Sequence, residues 1–356
     1  LSTAINERTK RIMAYTTINK SSLHMNPKLY TGNGGTQSID VGFQSDWTWL
    51  KSRTEAKNNI LIDAVRGSSK DIISNSANAE NTDATRITGF DSDGFNLGSS
   101  STTNTNSQNY VSWNWKANGQ GSSNTDGSIN TTYTSVNTTA GFSIVTYTGT
   151  GANATVGHGL GVAPRFIISK RLDSGSAWFA YSEAIPNMNT GFMTFSETGA
   201  FTVNSTNWNN TSPTSSVISI GTSPSINASG GRFVLYCFAE KQGFSKFSSY
   251  TGNGDSDGTF VSIGFKPAWI LIKRTDASSN WEIYDSKRLG FNDDNPALYT
   301  DTNDAEGGNG RIDILSNGFK IRTTSGNLGA SGGTYIYMAF AEAPLVGSNN
   351  VPANAR

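Results

Sequence analysis

Three tryptophans in polar surroundings are the residues of this chain best suited to contact a ligand. Trp208 stands in an Asn- and Thr-rich stretch, and Trp178 and Trp281 each follow a basic pair by seven positions. An aromatic face beside amide groups suits a pyranose ring. We therefore weigh glycan stacking at Trp178, Trp208 and Trp281 against packing that anchors a loop and against a subunit contact, and we favour these last two explanations.

The chain lacks the residue spacing of catalytic or metal-binding motifs. His24 and His158 have no neighbouring carboxylate or second histidine at a ligand spacing, and we interpret His158 as a solvent-facing turn residue. No Gly-x-Ser-x-Gly elbow stands between a strand and a helix. Cys237 is the only cysteine and lies in an apolar run, which predicts a buried thiol. We expect no catalysis, no cofactor and no metal.

Acidic and glycine-rich segments are better explained as turns than as sites. Residues 91–94 and 255–258, both Asp-Ser-Asp-Gly, offer oxygen ligands but complete no calcium loop. The phrase Tyr-Thr-Gly-x-Gly lacks the context of a phosphate loop, so we predict a hairpin turn with positive φ at glycine. A glycan-cleaving enzyme would need paired carboxylates in one groove. We interpret the densest acidic patch as a solvated loop; its residues are Asp293, Asp294, Asp301 and Asp304.

A pair of basic residues ends one apolar run in each third of the chain. We predict that these residues cap strand ends, with Asp173 and Asp276 as ion-pair partners in the second and third copies. A ligand site is the less favoured explanation. The pairs are Lys51 with Arg53, Lys170 with Arg171, and Lys273 with Arg274.

These residues belong to segments that occur three times. The phrase Tyr-Thr-Gly-x-Gly begins at Tyr30, Tyr147 and Tyr250, and each copy continues through an apolar run, a turn with a Phe strand and an aromatic closing strand. The intervals of 117 and 103 residues are each long enough for one small domain. Alternating β-branched and aromatic residues between Gly, Asn and Asp turns predict strands. The fold class is therefore all-β, with three tandem antiparallel β-sandwich or jelly-roll-like repeats of about 100 residues.

Aromatic residues at corresponding places in the repeats are expected to form the core. Three stand in the apolar runs and three in the closing strands, which is typical of sandwich interiors. They are Trp49, Phe166 and Trp269, and Trp115, Phe238 and Phe340.

The repeats divide the chain into segments. We predict an N-terminal attachment arm at 1–26, with a short helix or flexible stretch near its middle, and repeats at 27–118, 140–242 and 243–344. A Gly/Ser/Asn/Thr-rich linker covers 119–139, and a C-terminal tail covers 345–356. Because the second and third repeats are joined by very few residues, we expect them to pack rigidly. Three repeats in one chain could also imitate a trimer of single modules.

Composition limits the partners. Charged residues make up 15%, and the 27 basic and 27 acidic residues cancel. No basic surface is therefore expected to attract nucleic acid or anionic lipid, and no run approaches the length of a membrane span. The near-zero net charge suits a subunit of an assembly.

Two runs and the end of the last repeat resemble tail-fibre or appendage proteins of marine bacteriophages. They are residues 124–129, residues 138–164, which contain Tyr-Thr-Gly-Thr-Gly, and the segment Met-Ala-Phe-Ala-Glu-Ala-Pro-Leu-Val-Gly-Ser-Asn from Met338. The resemblance covers the chain from Met13 onward and brings no set of functional residues with it. It implies a virion structural protein.

From this resemblance we expect a non-enzymatic tail fibre, tail-tip or capsid-decorating component exposed on the particle. We expect a homo-oligomer, with a trimer favoured, attachment to other virion proteins through the N-terminal arm, and contact with a host surface glycan. A carbohydrate-binding, lectin-like array with a site on each repeat is the alternative, and a glycan-depolymerising appendage is a third possibility.

Overall fold

The computed structural model describes residues 15–288, 292, 295–307 and 311–347. Antiparallel sheets make up nearly all of its regular structure, which confirms the all-β prediction. One short helix, α1 (Pro224–Asn227), and 3-10 turns at Ser21–Leu23 and Met188–Thr190 complete the regular elements. Each repeat forms a large sheet and a small sheet that face each other, and we number these sandwiches 1, 2 and 3 along the chain.

Sandwich 1 contains nine strands. Its large sheet has the order β1-β9-β3-β4-β5-β6 and its small sheet the order β2-β8-β7. The strands are β1 (Met25–Thr31), β2 (Gln37–Asp40), β3 (Trp47–Ser52), β4 (Ile60–Asp63), β5 (Lys70–Ile73), β6 (Asn81–Thr82), β7 (Ile87–Asp91), β8 (Gly94–Leu97) and β9 (Asn109–Trp115).

Sandwich 2 follows the same plan, with one additional edge strand, β10, in its large sheet and one strand fewer in its small sheet. Its large sheet has the order β10-β11-β18-β13-β14-β15-β16, and its small sheet pairs β12 with β17. The strands are β10 (Tyr133–Asn137), β11 (Phe142–Thr148), β12 (Ala154–Gly157), β13 (Phe166–Arg171), β14 (Phe179–Ser182), β15 (Gly191–Thr194), β16 (Thr202–Val203), β17 (Val217–Ile220) and β18 (Arg232–Phe238).

Sandwich 3 repeats the arrangement again. Its sheets have the orders β19-β26-β21-β22-β23 and β20-β25-β24. The strands are β19 (Ser245–Thr251), β20 (Phe260–Ser262), β21 (Phe265–Arg274), β22 (Glu282–Asp285), β23 (Leu298–Tyr299), β24 (Ile312–Leu315), β25 (Gly318–Ile321) and β26 (Thr334–Pro344).

The repeated Tyr-Thr-Gly phrase fixes the ends of the corresponding strands β1, β11 and β19. The tyrosine hydroxyl donates to a loop carbonyl, and its ring stacks on an aromatic residue of the closing strand. In sandwich 1, Tyr30 donates to Thr103 O at 2.7 Å and stacks on Tyr110 with 5.1 Å between ring centroids. Tyr147 with Phe233 and Tyr250 with Tyr335 repeat this arrangement.

The glycines of this phrase do not form the predicted hairpin. The phrase joins a strand of the large sheet to a strand of the small sheet, so it crosses between the layers. The second glycine has the predicted positive φ, for example +70° at Gly34. The first glycine is needed for close approach, because a Cβ on Gly32 would lie 2.1 Å from Thr105 O.

The segment predicted as a linker, 119–139, is folded onto sandwich 2. It contains β10, which pairs with β11 from Tyr133 to Asn137. Its start is held by Asp46, whose carboxylate accepts hydrogen bonds from the backbone N–H groups of Ala117 at 2.6 Å and Gly119 at 3.1 Å. Side-chain hydroxyl groups form hydrogen bonds with much of the remaining backbone of this segment. Its Ser- and Thr-rich composition therefore indicated a linker, although the segment contains a strand.

The predicted N-terminal arm is partly inside the fold. Ile18 is buried in the core, and β1 begins at Met25. The turn Ser21–Leu23 packs against β26 and β1. The possible helix in the arm, at residues 4–13, lies outside the described residues, as does the predicted tail beyond residue 347.

The three large sheets pack against one another around a shared aromatic core. Along β21, Trp269 and Leu271 enter this shared core, whereas Ile270 and Ile272 face the small sheet of their own sandwich. The central strands are therefore buried on both faces. All six predicted core aromatics are buried, which confirms that prediction.

Aromatic contacts link every pair of sandwiches. Ring centroids lie 4.4 Å apart between Trp47 and Tyr236 (sandwiches 1 and 2) and 5.4 Å apart between Trp115 and Trp269 (1 and 3). Phe238 and Phe340 join sandwiches 2 and 3 at 6.0 Å. The interior is one core with contributions from three sandwiches.

Backbone hydrogen bonds between sandwiches follow a cyclic order. The N–H of Glu80 in sandwich 1 donates to Leu172 O in sandwich 2 at 2.9 Å. Phe201 N–H of sandwich 2 donates to Thr275 O of sandwich 3, and Glu306 N–H of sandwich 3 donates to Arg53 O of sandwich 1. Because the three bonds join corresponding positions, the modules are related by a pseudo-three-fold arrangement within one chain.

A buried lysine reinforces each of these seams. Lys51, Lys170 and Lys273 are at most 1% exposed, and each Nζ donates to one carbonyl of its own sandwich and one of a neighbour. Lys170, for example, donates to Ala77 O at 2.9 Å and Ser176 O at 2.6 Å. Burial lowers the pKa of all three from 10.5 to about 8.

The prediction of strand-end caps was therefore wrong for the lysines. It is confirmed for two arginines: Arg171 pairs with Asp173, and Arg274 pairs with Asp276. Arg53 instead pairs with Glu306 of sandwich 3. One partner of each lysine, and the partner of Arg53, come from a distant part of the chain, which local spacing did not indicate.

The buried lysines give a pH dependence to stability. Between about pH 8 and pH 10 these three lysines bind more protons in the unfolded chain than in the folded protein, so the free energy of unfolding should rise with pH in this window. Above roughly pH 10 tyrosines of the unfolded chain ionise, while burial raises the pKa of Tyr147 and Tyr250, and stability should fall.

Urea unfolding followed by tryptophan fluorescence at pH 7 and pH 9.5 measures this rise. Lys170→Met should reduce it by about a third, since one of three such groups is lost. The exposed Lys28→Met is the control and should leave it unchanged. Equal slopes in wild type and Lys170→Met would show that the buried amine is not responsible.

The close approach at the first glycine predicts a stability effect. Gly32→Ala should lower the free energy of unfolding by roughly 2 kcal/mol or more, because the added Cβ collides with a backbone oxygen. Gly199→Ala is the matched control, since no atom lies within 4 Å of its Cβ position. Denaturant titration of both variants makes the comparison, and equal midpoints would contradict the packing account.

Candidate functional site

The three tryptophans proposed for glycan stacking are all buried, so that role is wrong for them. Trp178 is 0% exposed and Trp281 is 1% exposed. Trp178 Nε1 donates to Ile73 O of sandwich 1 at 2.9 Å, and Trp281 Nε1 donates to Thr194 O of sandwich 2 at 2.9 Å. In sandwich 1 the corresponding residue, Asn59, donates to Tyr299 O and Thr302 O of sandwich 3. These residues join sandwiches, so the packing alternative is correct.

Trp208 is also unavailable to a ligand. Its ring is 1% exposed and meets Tyr181 edge-on at 5.5 Å. Asn209 and Asn210 follow it with φ values of +50° and +49°, so the chain turns immediately after the ring. Asn207 is buried beside it, whereas Asn210 and Thr211 are exposed, and the tryptophan anchors this turn to sandwich 2.

The other candidate residues are structural where the structure describes them. His158 is 0% exposed and not solvent-facing, because its Nε2 lies 3.2 Å from Thr214 O and its Nδ1 accepts from Leu160 N–H. Burial lowers the pKa of His158. Cys237 is buried as predicted, and burial raises the pKa of its thiol to about 12.

The acidic patch is divided by the fold. Asp293 and Asp294 lie outside the described residues. Asp304 is exposed, but Asp301 is partly buried and accepts the backbone N–H of Trp281 at 3.2 Å. Burial raises the pKa of Asp301 to about 6. Within the part of the chain that the structure describes, no cluster of three His, Cys, Asp or Glu side chains could hold a metal ion.

Two clefts lie at corresponding places between sandwiches. The first, between sandwiches 1 and 2, has a volume of about 210 Å³ and includes Arg66, Lys70, Glu80, Tyr133 and Arg232; we call it the ionic cleft. The second, between sandwiches 2 and 3, has a volume of about 350 Å³ and includes Ile185, Ser249, Thr251, Thr275 and Thr334; we call it the neutral cleft. Both lie beside the stacked pair of the Tyr-Thr-Gly phrase.

The two clefts differ at matched positions. Arg66 of the ionic cleft corresponds to Ile185 of the neutral cleft, and Arg232 corresponds to Thr334. The ionic cleft also has a wall formed by Thr132 and by Tyr133, the first residue of β10. The same backbone plan therefore carries charged groups at one seam and hydroxyl and aliphatic groups at the other.

Ion pairs hold the sandwich 1 side of the ionic cleft. Arg66 Nε donates to Asp63 Oδ2 at 2.6 Å and its Nη1 to Glu80 Oε2 at 3.2 Å, while Tyr236 OH of sandwich 2 donates to Asp63 at 2.7 Å. Burial alone would lower the pKa of Arg66, but Asp63, Tyr236 and Glu80 outweigh it and raise that pKa. Arg232 of sandwich 2 donates to the other oxygen of Glu80 at 3.2 Å.

The seam between sandwiches 3 and 1 repeats this ionic pattern. Arg288 Nε donates to Asp285 at 2.6 Å, and Trp113 Nε1 of sandwich 1 donates to the same carboxylate at 3.0 Å. Arg53 and Glu306 add a two-bond ion pair. Because both seam carboxylates are held by arginines, they are suited to binding and cohesion rather than to proton transfer.

These seam residues were not predicted, although the sequence contains a signal for them. The pattern Asp-x-x-Arg follows β4 at Asp63 and β22 at Asp285, which are corresponding strands. In sandwich 2 the same positions are Ser182 and Ile185. The charged pair therefore recurs at the same place in two repeats and is absent from the third. Such recurrence distinguishes seam residues from ordinary surface charges.

The buried ion pair predicts a large stability effect. Arg66→Met should lower the free energy of unfolding by about 3 kcal/mol, because Asp63 and Glu80 would remain buried without their cation. Arg165→Met is the control: its pair with Glu183 is 45% and 55% exposed, so a change below about 1 kcal/mol is expected. Equal destabilisation in urea titrations would contradict this assignment.

Comparison with known proteins gives a family but no activity. No helix among the described residues is both long and apolar enough to cross a membrane. A search of curated proteins finds no match. Residues 20–344, which span all three sandwiches, match a family described as a domain of unknown function. The chain therefore belongs to the DUF7483 family.

Proposed function

We propose that this protein is a non-enzymatic structural component of a bacteriophage particle: a tail fibre, a tail-tip protein or a capsid-decorating appendage. The observation that carries the proposal is the closure of three sandwiches around one aromatic core with cyclic seams. Such a body is suited to rigidity, because each sheet is covered on both faces and each seam is tied by hydrogen bonds to backbone carbonyls.

The chemical character of the interior supports a structural role. The described seam carboxylates are held by arginines, the thiol is buried, and the seam lysines donate to carbonyls. Outside the core, neutral Ser, Thr and Asn side chains satisfy loop backbones, as Asn104 does with Gly35 O and Gly98 O. These features suit a stable structural protein better than an enzyme.

Exposed edge strands of the large sheets are protected, which suits a protein that works outside a cell. In sandwich 2, the edge strand β10 exchanges two backbone hydrogen bonds with Ser122 through Thr134. In sandwich 1, β1 contains Pro27, which has no N–H to offer. In sandwich 3, Glu240 accepts the N–H of Phe247 on β19. We propose that association uses other surfaces, with the N-terminal arm contacting other virion proteins.

We further propose a homotrimer on the particle, exposed to host surface glycans. Because the pseudo-three-fold core is already complete in one chain, contacts between copies must involve its outer surface. Light scattering of the purified protein should give about three times the chain mass of 38.0 kDa. A mass of one chain at micromolar concentration would contradict the trimer.

Carbohydrate binding by an array of repeats is the second candidate function. The observation that favours it is the pair of clefts at corresponding seams, one of them rich in hydroxyl groups. A glycan array tests it with the purified chain. Binding to defined glycans would support the lectin role, and a blank array would remove it.

The structural proposal is tested on particles. Immunogold labelling with an antibody against the purified chain should decorate phage particles at a fixed place on tail or capsid. Incubation of the chain with host polysaccharide should release no reducing ends. Gradient-purified particles without label, or released oligosaccharide, would overturn the proposal.

A further inference from the structure

The ionic cleft has hydrogen-bond donors that its structural ion pairs do not occupy. Arg66 is 3% exposed on its side chain, and its donors go to Asp63, Glu80, Leu61 O and Tyr236. Arg232 is different: it donates one hydrogen bond to Glu80, and its side chain remains 56% exposed. The guanidinium of Arg232 therefore stands at the rim with donor capacity facing solvent.

The charges around this rim leave a positive balance. Arg66, Lys70 and Arg232 are the cations of the lining, and Glu80 is its anion. Asp63 lies behind Arg66 and completes that pair. The remaining cation is Lys70, whose Nζ donates to Thr82 Oγ1 at 2.6 Å. An anionic group entering the cleft would meet Arg232 and Lys70 with no unpaired lining carboxylate opposing it.

The remainder of the lining suits a ring with hydroxyl groups. Val65, Leu172 and the half-buried Tyr133 provide apolar surface, and Thr132 and Thr148 are exposed hydroxyl residues beside it. The volume of about 210 Å³ is smaller than the roughly 300 Å³ at which ordinary ligand pockets begin. Such a space accommodates one small ring and not an oligosaccharide.

From these observations we propose that the ionic cleft binds one acidic sugar unit, with its carboxylate on Arg232 and Lys70 and its ring against Tyr133. Arginine presents planar donors that match a carboxylate. The neutral cleft lacks the residues that would bind a carboxylate. Thr334 occupies the position of Arg232 there, and the lining contains no arginine or lysine. The inference does not depend on a virion role, and its failure would leave the structural proposal unchanged.

The test is a titration of the full chain with galacturonate, followed by saturation-transfer NMR and calorimetry. Galacturonate should bind at least tenfold more tightly than galactose, which has the same ring without the carboxylate. Arg232→Ala should weaken galacturonate binding by at least tenfold. Tyr133→Leu should weaken it while leaving any phosphate binding intact, because it removes only the ring surface.

Arg165→Ala is the matched control for Arg232→Ala. Arg165 is 45% exposed on its side chain and precedes β13 at the end that pairs with Phe238, the opposite end of β18 from Arg232. The Arg165→Ala variant should bind galacturonate as tightly as the wild type does. Because both arginines are exposed, thermal melts should show that both variants are folded.

Three results with the sugars would overturn the proposal, and a phosphate experiment adds a fourth. They are no galacturonate binding at millimolar concentration, equal binding of galactose and galacturonate, and unchanged binding in folded Arg232→Ala. Inorganic phosphate serves as a separate arm. If phosphate displaces galacturonate and Tyr133→Leu has no effect, the cleft is a simple anion site and the sugar assignment is wrong.

Discussion

The structure depends on the mutual covering of three large sheets. Each sheet places one face on its own small sheet and the other, rich in tryptophan and phenylalanine, at the centre of the molecule. A single sandwich would expose that second face to water, and burial of such rings is among the largest favourable terms in folding. The sandwiches therefore have a reason to remain together that does not depend on any linker.

Hydrogen bonds then determine how the sheets meet. At every seam a backbone N–H, a lysine amine and a tryptophan or asparagine side chain donate to carbonyl groups of a neighbouring sandwich. These groups are buried, so an incorrect register would leave them without partners. The cyclic order follows because each sandwich carries the lysine and the tryptophan or asparagine donors on one side, and the carbonyls that accept from such donors, together with the backbone N–H donor, on the other.

The backbone follows the pseudo-three-fold symmetry, whereas the side chains that line the clefts do not. Arg66 and Arg232 make the seam between sandwiches 1 and 2 ionic, whereas Ile185 and Thr334 make the corresponding seam between sandwiches 2 and 3 neutral. Differences of this kind do not alter the shared core. They are the places where one chain could acquire distinct binding properties within a constant scaffold.

Much of the fold could be predicted from the sequence because its signals were local and repeated. The Tyr-Thr-Gly phrase, the strand alternation and the six core aromatics all follow from short-range pattern. The roles of Trp178, Trp281 and Lys170 could not be predicted, because their partners lie in another sandwich. Ile73 O, for example, accepts from Trp178, which is 105 residues away along the chain. The favoured packing role of Trp208 is confirmed, whereas the prediction for His158 was wrong because the glycines around it indicated an exposed turn.

Differential scanning calorimetry shows whether the three sandwiches unfold as one cooperative unit. We expect a single transition whose calorimetric and van't Hoff enthalpies agree, because no sandwich can unfold without exposing the shared core. Two or three separable transitions, each with the enthalpy of about 100 residues, would show that the sandwiches are independent domains and would contradict this expectation.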